Sequence, residues 1–128
     1  MLKDHPSSAI VAVTDMARAR AFYADTLGLD VEGGGMGADG PMIVRTGTTR
    51  LVVYPSESAG TNRANAVVWG VGDELEAIVA ALTDKGVVFD RYDIPGATFR
   101  GGVHRAGDFL MAWFKDPDGN ILHLNSAD

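Results

Sequence analysis

The hydrophobic pattern changes period along the chain, and each change marks an element. Ala9 to Val13 is a short apolar run, the length of a buried strand. Asp15 follows as a helix N-cap. Ala19, Phe22, Tyr23 and Leu27 then share one helical stripe, which Gly28 ends as a C′ residue. Leu29 to Glu32 predicts a second strand. Met42 to Thr46 and Arg50 to Tyr54 predict two more, joined by a tight turn around Gly47-Thr48. The glycine-rich run from Gly33 to Gly40 predicts a flexible connection, because it lacks the Gly-Lys-Ser/Thr ending of a phosphate loop. Pro55 to Arg63 is polar and reads as a linker.

The pattern then restarts. Ala66 to Val71 is a second apolar strand, with Trp69 alternating with Val67 and Val71 on its helix-packed side. Asp73 reads as an N-cap, with Glu76 completing a capping box. Leu75, Ile78, Val79 and Leu82 form a helical stripe, Gly86 closes it, and Val87 to Asp90 predicts a strand. Both Asp caps and both Gly stops are offset by 58 positions (73 − 15 and 86 − 28). One constant offset predicts an internal duplication of a βαβββ unit. The second copy carries a longer irregular insert, roughly Ile94 to Gly107, before the strands Asp108 to Phe114 and Ile121 to Asn125.

Those last two strands are joined by Asp116-Pro117-Asp118-Gly119-Asn120. Pro117 presets φ for a type I turn, and Gly119 takes the left-handed conformation after it. The turn fixes the register: Asp116 faces Asn120, Phe114 faces Leu122, and Trp113 faces His123. Phe114, Leu122 and Leu124 then share a core face, while Trp113 and His123 share the other, which predicts the wall of a site.

Bulk properties narrow the function classes. A chain of 128 residues, 46% hydrophobic, suits one folded domain. The absence of cysteine excludes disulfides, thiolate metal sites and Cys nucleophiles. A net charge of −6 argues against nucleic acid as a partner. No apolar run has transmembrane length, and the start has no apolar signal region, so a cytoplasmic protein is expected. There is no Gly-x-Ser-x-Gly elbow, and no nucleophile–base pair can be read, although His123 with Tyr92 or Asp93 would suit acid–base chemistry.

Val11-Ala12-Val13-Thr14-Asp15, Phe22-Tyr23, Leu27-Gly28-Leu29 and Asp116-Pro117-Asp118-Gly119-Asn120 resemble motifs of the vicinal oxygen chelate superfamily, which includes glyoxalase I, extradiol dioxygenases, and fosfomycin and bleomycin resistance proteins. The resemblance covers nearly the whole chain. It implies an α+β fold of two βαβββ modules, about 1–55 and 64–128 with linker 56–63, whose sheets curl around a cavity. It also implies a homodimer.

The superfamily's catalysts hold a divalent metal in that cavity. Carried over by position, the ligand sites fall at Ser8, about Val52, Ala66 and His123. Only His123 has a strong metal-ligand side chain, and a catalytic site normally needs three or more protein ligands. His123 itself has three readings: metal ligand, cavity residue bonding a small molecule, or structural histidine packed on Trp113. Arg50, Tyr54, Met111 and Trp113 share faces with the cavity positions. They suit an organic ligand, with Arg50 a lone cation able to fix a carboxylate. His104 lies in the insert, where it either caps the cavity or, as is expected, stands as an exposed loop histidine, and His5 is expected to be an exposed terminal one. The expectation is a small-molecule-binding protein without metal or other cofactor. The alternative is a lyase, isomerase or dioxygenase with a divalent metal.

Overall fold

The structure, a computed structural model, describes residues 1–33 and 40–127. The expected flexible connection therefore lies largely outside the described residues. The chain forms two compact units, Met1–Thr61 and Asn62–Asp128.

In the first unit, β1 (Ala9–Val13) leads into α1 (Met16–Arg20), followed by β2 (Asp30–Gly33), β3 (Met42–Thr46) and β4 (Thr49–Pro55). Among the described residues they form a sheet of order β1-β4-β3-β2. Strand β1 runs parallel to β4, and the other pairings are antiparallel. The alternation sorts the faces: Val11, Val13, Met42, Val44, Leu51 and Val53 are all buried. Asp15 caps α1 as expected, its carboxylate accepting from the Arg18 N–H at 3.0 Å. The helix does not continue as α. Ala21–Thr26 is a π-helix, in which the Leu27 N–H reaches back to Phe22 O at 2.9 Å. The wider turn splits the expected stripe, with Ala19 and Tyr23 buried but Phe22 and Leu27 only half-buried. Gly28 ends the helix at φ +74°.

The second unit contains β5 (Asn65–Gly70), α2 (Leu75–Asp84), β6 (Thr98–Arg100), β7 (Val103–Ala106), β8 (Phe109–Lys115) and β9 (Ile121–Asn125). Its sheet order is β5-β9-β8-β7-β6 among the described residues. Strands β5, β9, β8 and β7 repeat the order and directions of β1, β4, β3 and β2, with β6 added at the edge. Buried Leu75, Val79 and Leu82 line α2, which lies against β8.

Three expectations for this unit are corrected. Asp73 is not an N-cap and forms no capping box. It lies in a 3-10 turn, Gly72–Glu74, and α2 begins without a side-chain cap. The Glu74 N–H bonds Val71 O, and the Gly72 N–H bonds Ala127 O, so backbone carbonyls replace the cap. Glu76 instead pairs with Arg105 at 3.2 Å. Val87 to Asp90 is not a strand but a single bridge, Phe89 to Phe114, because β7 takes most of the edge of β8. The insert is not irregular. It holds the β6–β7 hairpin, turned by Gly101 and Gly102 at φ +59° and +85°.

The terminal hairpin has the expected register, Phe114 opposite Leu122 and Trp113 opposite His123. Its turn is tied by one buried carboxylate. Asp116 accepts from the N–H groups of Asp118 and Asn120 through Oδ1, and from the Asn120 side-chain amide through Oδ2 at 2.8 Å.

Candidate functional site

Strand alternation puts Val68, His123, Trp113, Met111 and His104 on the face of the second sheet opposite α2. Val68 pairs with His123, His123 with Trp113, and Met111 with His104. Leu110, Ala112, Phe114, Leu122 and Leu124 fill the other face and are buried.

Five rings meet on this face. Trp113 and His123 stack at 4.5 Å with planes 21° apart. His104 meets Trp113 edge-on at 5.1 Å, Tyr92 meets it edge-on at 5.2 Å, and Phe99 meets His104 at 4.7 Å. Each ring edge carries the positive part of the quadrupole toward a neighbour's face, which favours such contacts beyond area burial.

The hydrogen bonds define the state of His123. Its Nδ1–H donates to Ala112 O at 3.1 Å, which leaves Nε2 to accept from the Asn125 side-chain amide at 3.3 Å. Burial lowers its pKa, and the Ala112 carbonyl opposes that less strongly. The imidazole is therefore held neutral, with both nitrogens occupied. Of its three readings, the geometry combines ring packing on Trp113 with a position on the open face.

The remaining expected residues divide between the units. Arg50, Val52 and Tyr54 alternate on β4, opposite buried Leu51 and Val53. Arg50 is not a lone cation. Its guanidinium donates to Glu32 at 2.6 Å, and Arg45 stands 3.6 Å from the same carboxylate. Arg50 first, and Arg45 in addition, hold the Glu32 carboxyl below the usual range. Ser8 precedes β1 and is exposed, and Ala66 lies half-buried on β5. Val52 and His123 occupy equivalent places: Val52 pairs with Ile10, His123 pairs with Val68, and Ile10 and Val68 are 58 positions apart (68 − 10).

This donor set does not suit a divalent metal. Val52 and Ala66 have no donor atom, Ser8 is a weak ligand, and both His123 nitrogens are engaged. Among the described residues, no group of three His, Cys, Asp or Glu side chains could hold a metal ion.

His104 overturns the expectation of an exposed loop histidine, being only 1% exposed. Phe99 and Asn125 are the residues the sequence reading missed at this face, Tyr92 having been named only as an acid–base partner for His123. A signal existed: Gly101-Gly102 flanked by Phe99 and His104 is a hairpin pattern, and its register puts Phe99 opposite His104. Two cavities open beside this hairpin. One of about 620 Å³ lies on the α2 side, with Val79, Arg100 and Arg105 in its wall. The other, about 500 Å³, lies under residues 91–99, with His104 in its wall.

The chain belongs to the Glyoxalase/Bleomycin resistance protein/Dioxygenase superfamily, whose model matches residues 4–124. The fold is similar to that of a glyoxalase/bleomycin resistance protein from Streptomyces sp. CB03234, with 26% identity, a TM-score of 0.62, and 93% of this chain and 99% of that one covered. It is similar also to the genomically encoded fosfomycin resistance protein of Listeria monocytogenes, with 12% identity, a TM-score of 0.72 and coverage of 97% and 91%. An integron cassette protein from the mobile metagenome of the Halifax Harbour sewage outfall gives 17% identity, a TM-score of 0.70 and coverage of 95% and 97%. No curated protein matches the chain. No described helix is long and apolar enough to cross a membrane.

Proposed function

We propose that this protein binds a small organic molecule, without a metal, on the ring-lined face of its second sheet. The Trp113–His123 stack carries this reading. Trp113 offers apolar area, half-buried rather than sealed in the core, and Met111 adjoins it on the same strand. A neutral imidazole with both nitrogens occupied is no ligand for an ion, and it holds the Trp113 ring in place beside a small molecule rather than bonding it. The ligand set points the same way, since His123 is the one strong donor among the four family positions. Similarity to proteins named for fosfomycin and bleomycin resistance makes antibiotics a reasonable first class to screen, beside metabolites.

The test is a fluorescence screen, since Trp113 sits in the proposed site. For a ligand bound there, Trp113→Ala should weaken binding by about tenfold or more, the usual cost of a central aromatic contact. His123→Ala should cost less for a neutral ligand. A hit whose affinity ignores both substitutions would place the site elsewhere. Stoichiometric zinc, nickel, iron or manganese on His123 in protein purified without chelators would replace this reading with the metal-enzyme one.

We also propose that the protein is a homodimer. The edge strands β1 and β5 expose Ile10 and Val68, 62% and 57% accessible, at equivalent places in the two units. Apolar side chains on unpaired strand edges invite association.

A further inference from the structure

His104 carries a group that the reading above does not use. Its Nε2 accepts from the Tyr92 N–H at 2.9 Å, so the ring is neutral and its single proton sits on Nδ1. That Nδ1–H is buried and has no hydrogen-bond partner among the described residues. Native proteins rarely bury a donor unpaired, and such a group calls for an explanation. His104 also walls the cavity of about 500 Å³ under residues 91–99, with Arg91, Asp93, Ile94, Pro95 and Phe99. The Arg91 guanidinium lies over the Phe99 ring at 5.5 Å and has no carboxylate partner among the described residues.

We propose that this cavity is a second ligand site, and that it takes a small aromatic carboxylate. One carboxylate oxygen accepts from His104 Nδ1–H, and Arg91 balances the charge. Ile94, Pro95 and Phe99 supply flat apolar walls for the ring. Among the described residues Arg91 is the one cation lining this cavity, and Asp93 shares the wall, which favours a monoanion over a dianion such as phosphate. Nδ1 is sealed from solvent among the rings of Tyr92, Phe99 and Trp113, so the ligand must part them to reach it. Tyr92, 38% exposed, is the ring placed to yield. Neither Trp113 nor His123 lines this cavity, although the Trp113 ring lies edge-on to His104 at 5.1 Å.

Benzoate is the probe, titrated into the full chain carrying ¹⁵N-labelled histidine. Binding should shift the His104 Nδ1 resonance and leave its tautomer unchanged. His104→Gln keeps an acceptor for the Tyr92 N–H but moves its N–H donors off the Nδ1 position, and should weaken benzoate by about tenfold. Arg91→Gln removes an exposed charge and its contact over Phe99 but no buried group, so it reads the site even if His104→Gln fails to fold, and it should weaken benzoate several-fold. Benzamide, which keeps the carbonyl and lacks the charge, should bind more weakly than benzoate. His123→Ala should weaken benzoate less than Arg91→Gln does, which separates this site from the one proposed above. No benzoate binding at millimolar concentration, or affinity indifferent to Arg91→Gln, would overturn the proposal.

Discussion

His123 is buried, stacked and neutral, and that combination has a pH signature. Burial lowers its folded pKa below the ordinary 6.5. Well above that value neither state is protonated and the group adds no pH dependence. As pH falls below it, the unfolded chain takes up a proton that the folded chain resists, so stability declines, levelling off below the folded value. The urea midpoint should therefore drop between about pH 7.5 and pH 5.5, within the range where histidines titrate. His123→Phe, which keeps a ring against Trp113, should flatten that drop. An unchanged slope in the variant would show that His123 is not the group responsible. Glu32 acts at lower pH by the same sign: its depressed carboxyl favours the fold above the carboxylate range and loses that contribution as pH falls through it.

At the scale of elements, two helices that look alike in sequence begin differently. Asp15 caps α1 with its side chain, whereas Asp73 sits exposed in a 3-10 turn closed by backbone carbonyls. Asp15→Ala should cost about 1 kcal/mol of unfolding free energy, the usual worth of an N-cap. Asp73→Ala should change stability by less than about 0.5 kcal/mol, as at ordinary surface positions. Equal losses in denaturant titrations would refute the assignment. The β6–β7 turn gives a second contrast. A Cβ on Gly102 would stand 3.0 Å from Phe89 Cβ and 3.3 Å from Val79 Cγ1, at φ +85°. A Cβ on Gly101 meets nothing within 4 Å, at φ +59°. Gly101→Ala should cost roughly 1–2 kcal/mol from its left-handed backbone alone. Gly102→Ala should lower the melting temperature further, since a neighbour must also move.

For the whole molecule, the duplicated units present the same kind of edge. Ile10 and Val68 point from edge strands into solvent at matching places. If these edges mediate association, Ile10→Lys or Val68→Lys should convert the dimer to monomer in sedimentation at micromolar concentration. Wild-type protein that sediments as a monomer at that concentration would remove the dimer from consideration. The doubled architecture also explains why one half holds the ring cluster. Val52 and His123 are equivalent, but among the described residues only the second unit adds a further strand, β6, which brings Phe99 beside His104.

Local rules were enough for much of this fold. The duplication, the terminal hairpin register, the Asp15 cap and the glycine stops were legible because turn residues and caps act over a few positions. So were the two faces of β8 and β9, since alternation along a strand needs no partner to be known. What the sequence left open depended on competition between distant segments. Val87 to Asp90 lost its place because β7 occupies the edge of β8. Asp73 lies in a 3-10 turn instead of capping, and the Val71 and Ala127 carbonyls take the N–H groups of Glu74 and Gly72 there. Arg50 was spoken for by Glu32, eighteen positions away in sequence. His104 read as exposed while its neighbours were unknown. Its burial was decided by Tyr92, Phe99 and Trp113, rings from three different segments that only the folded sheet brings around it.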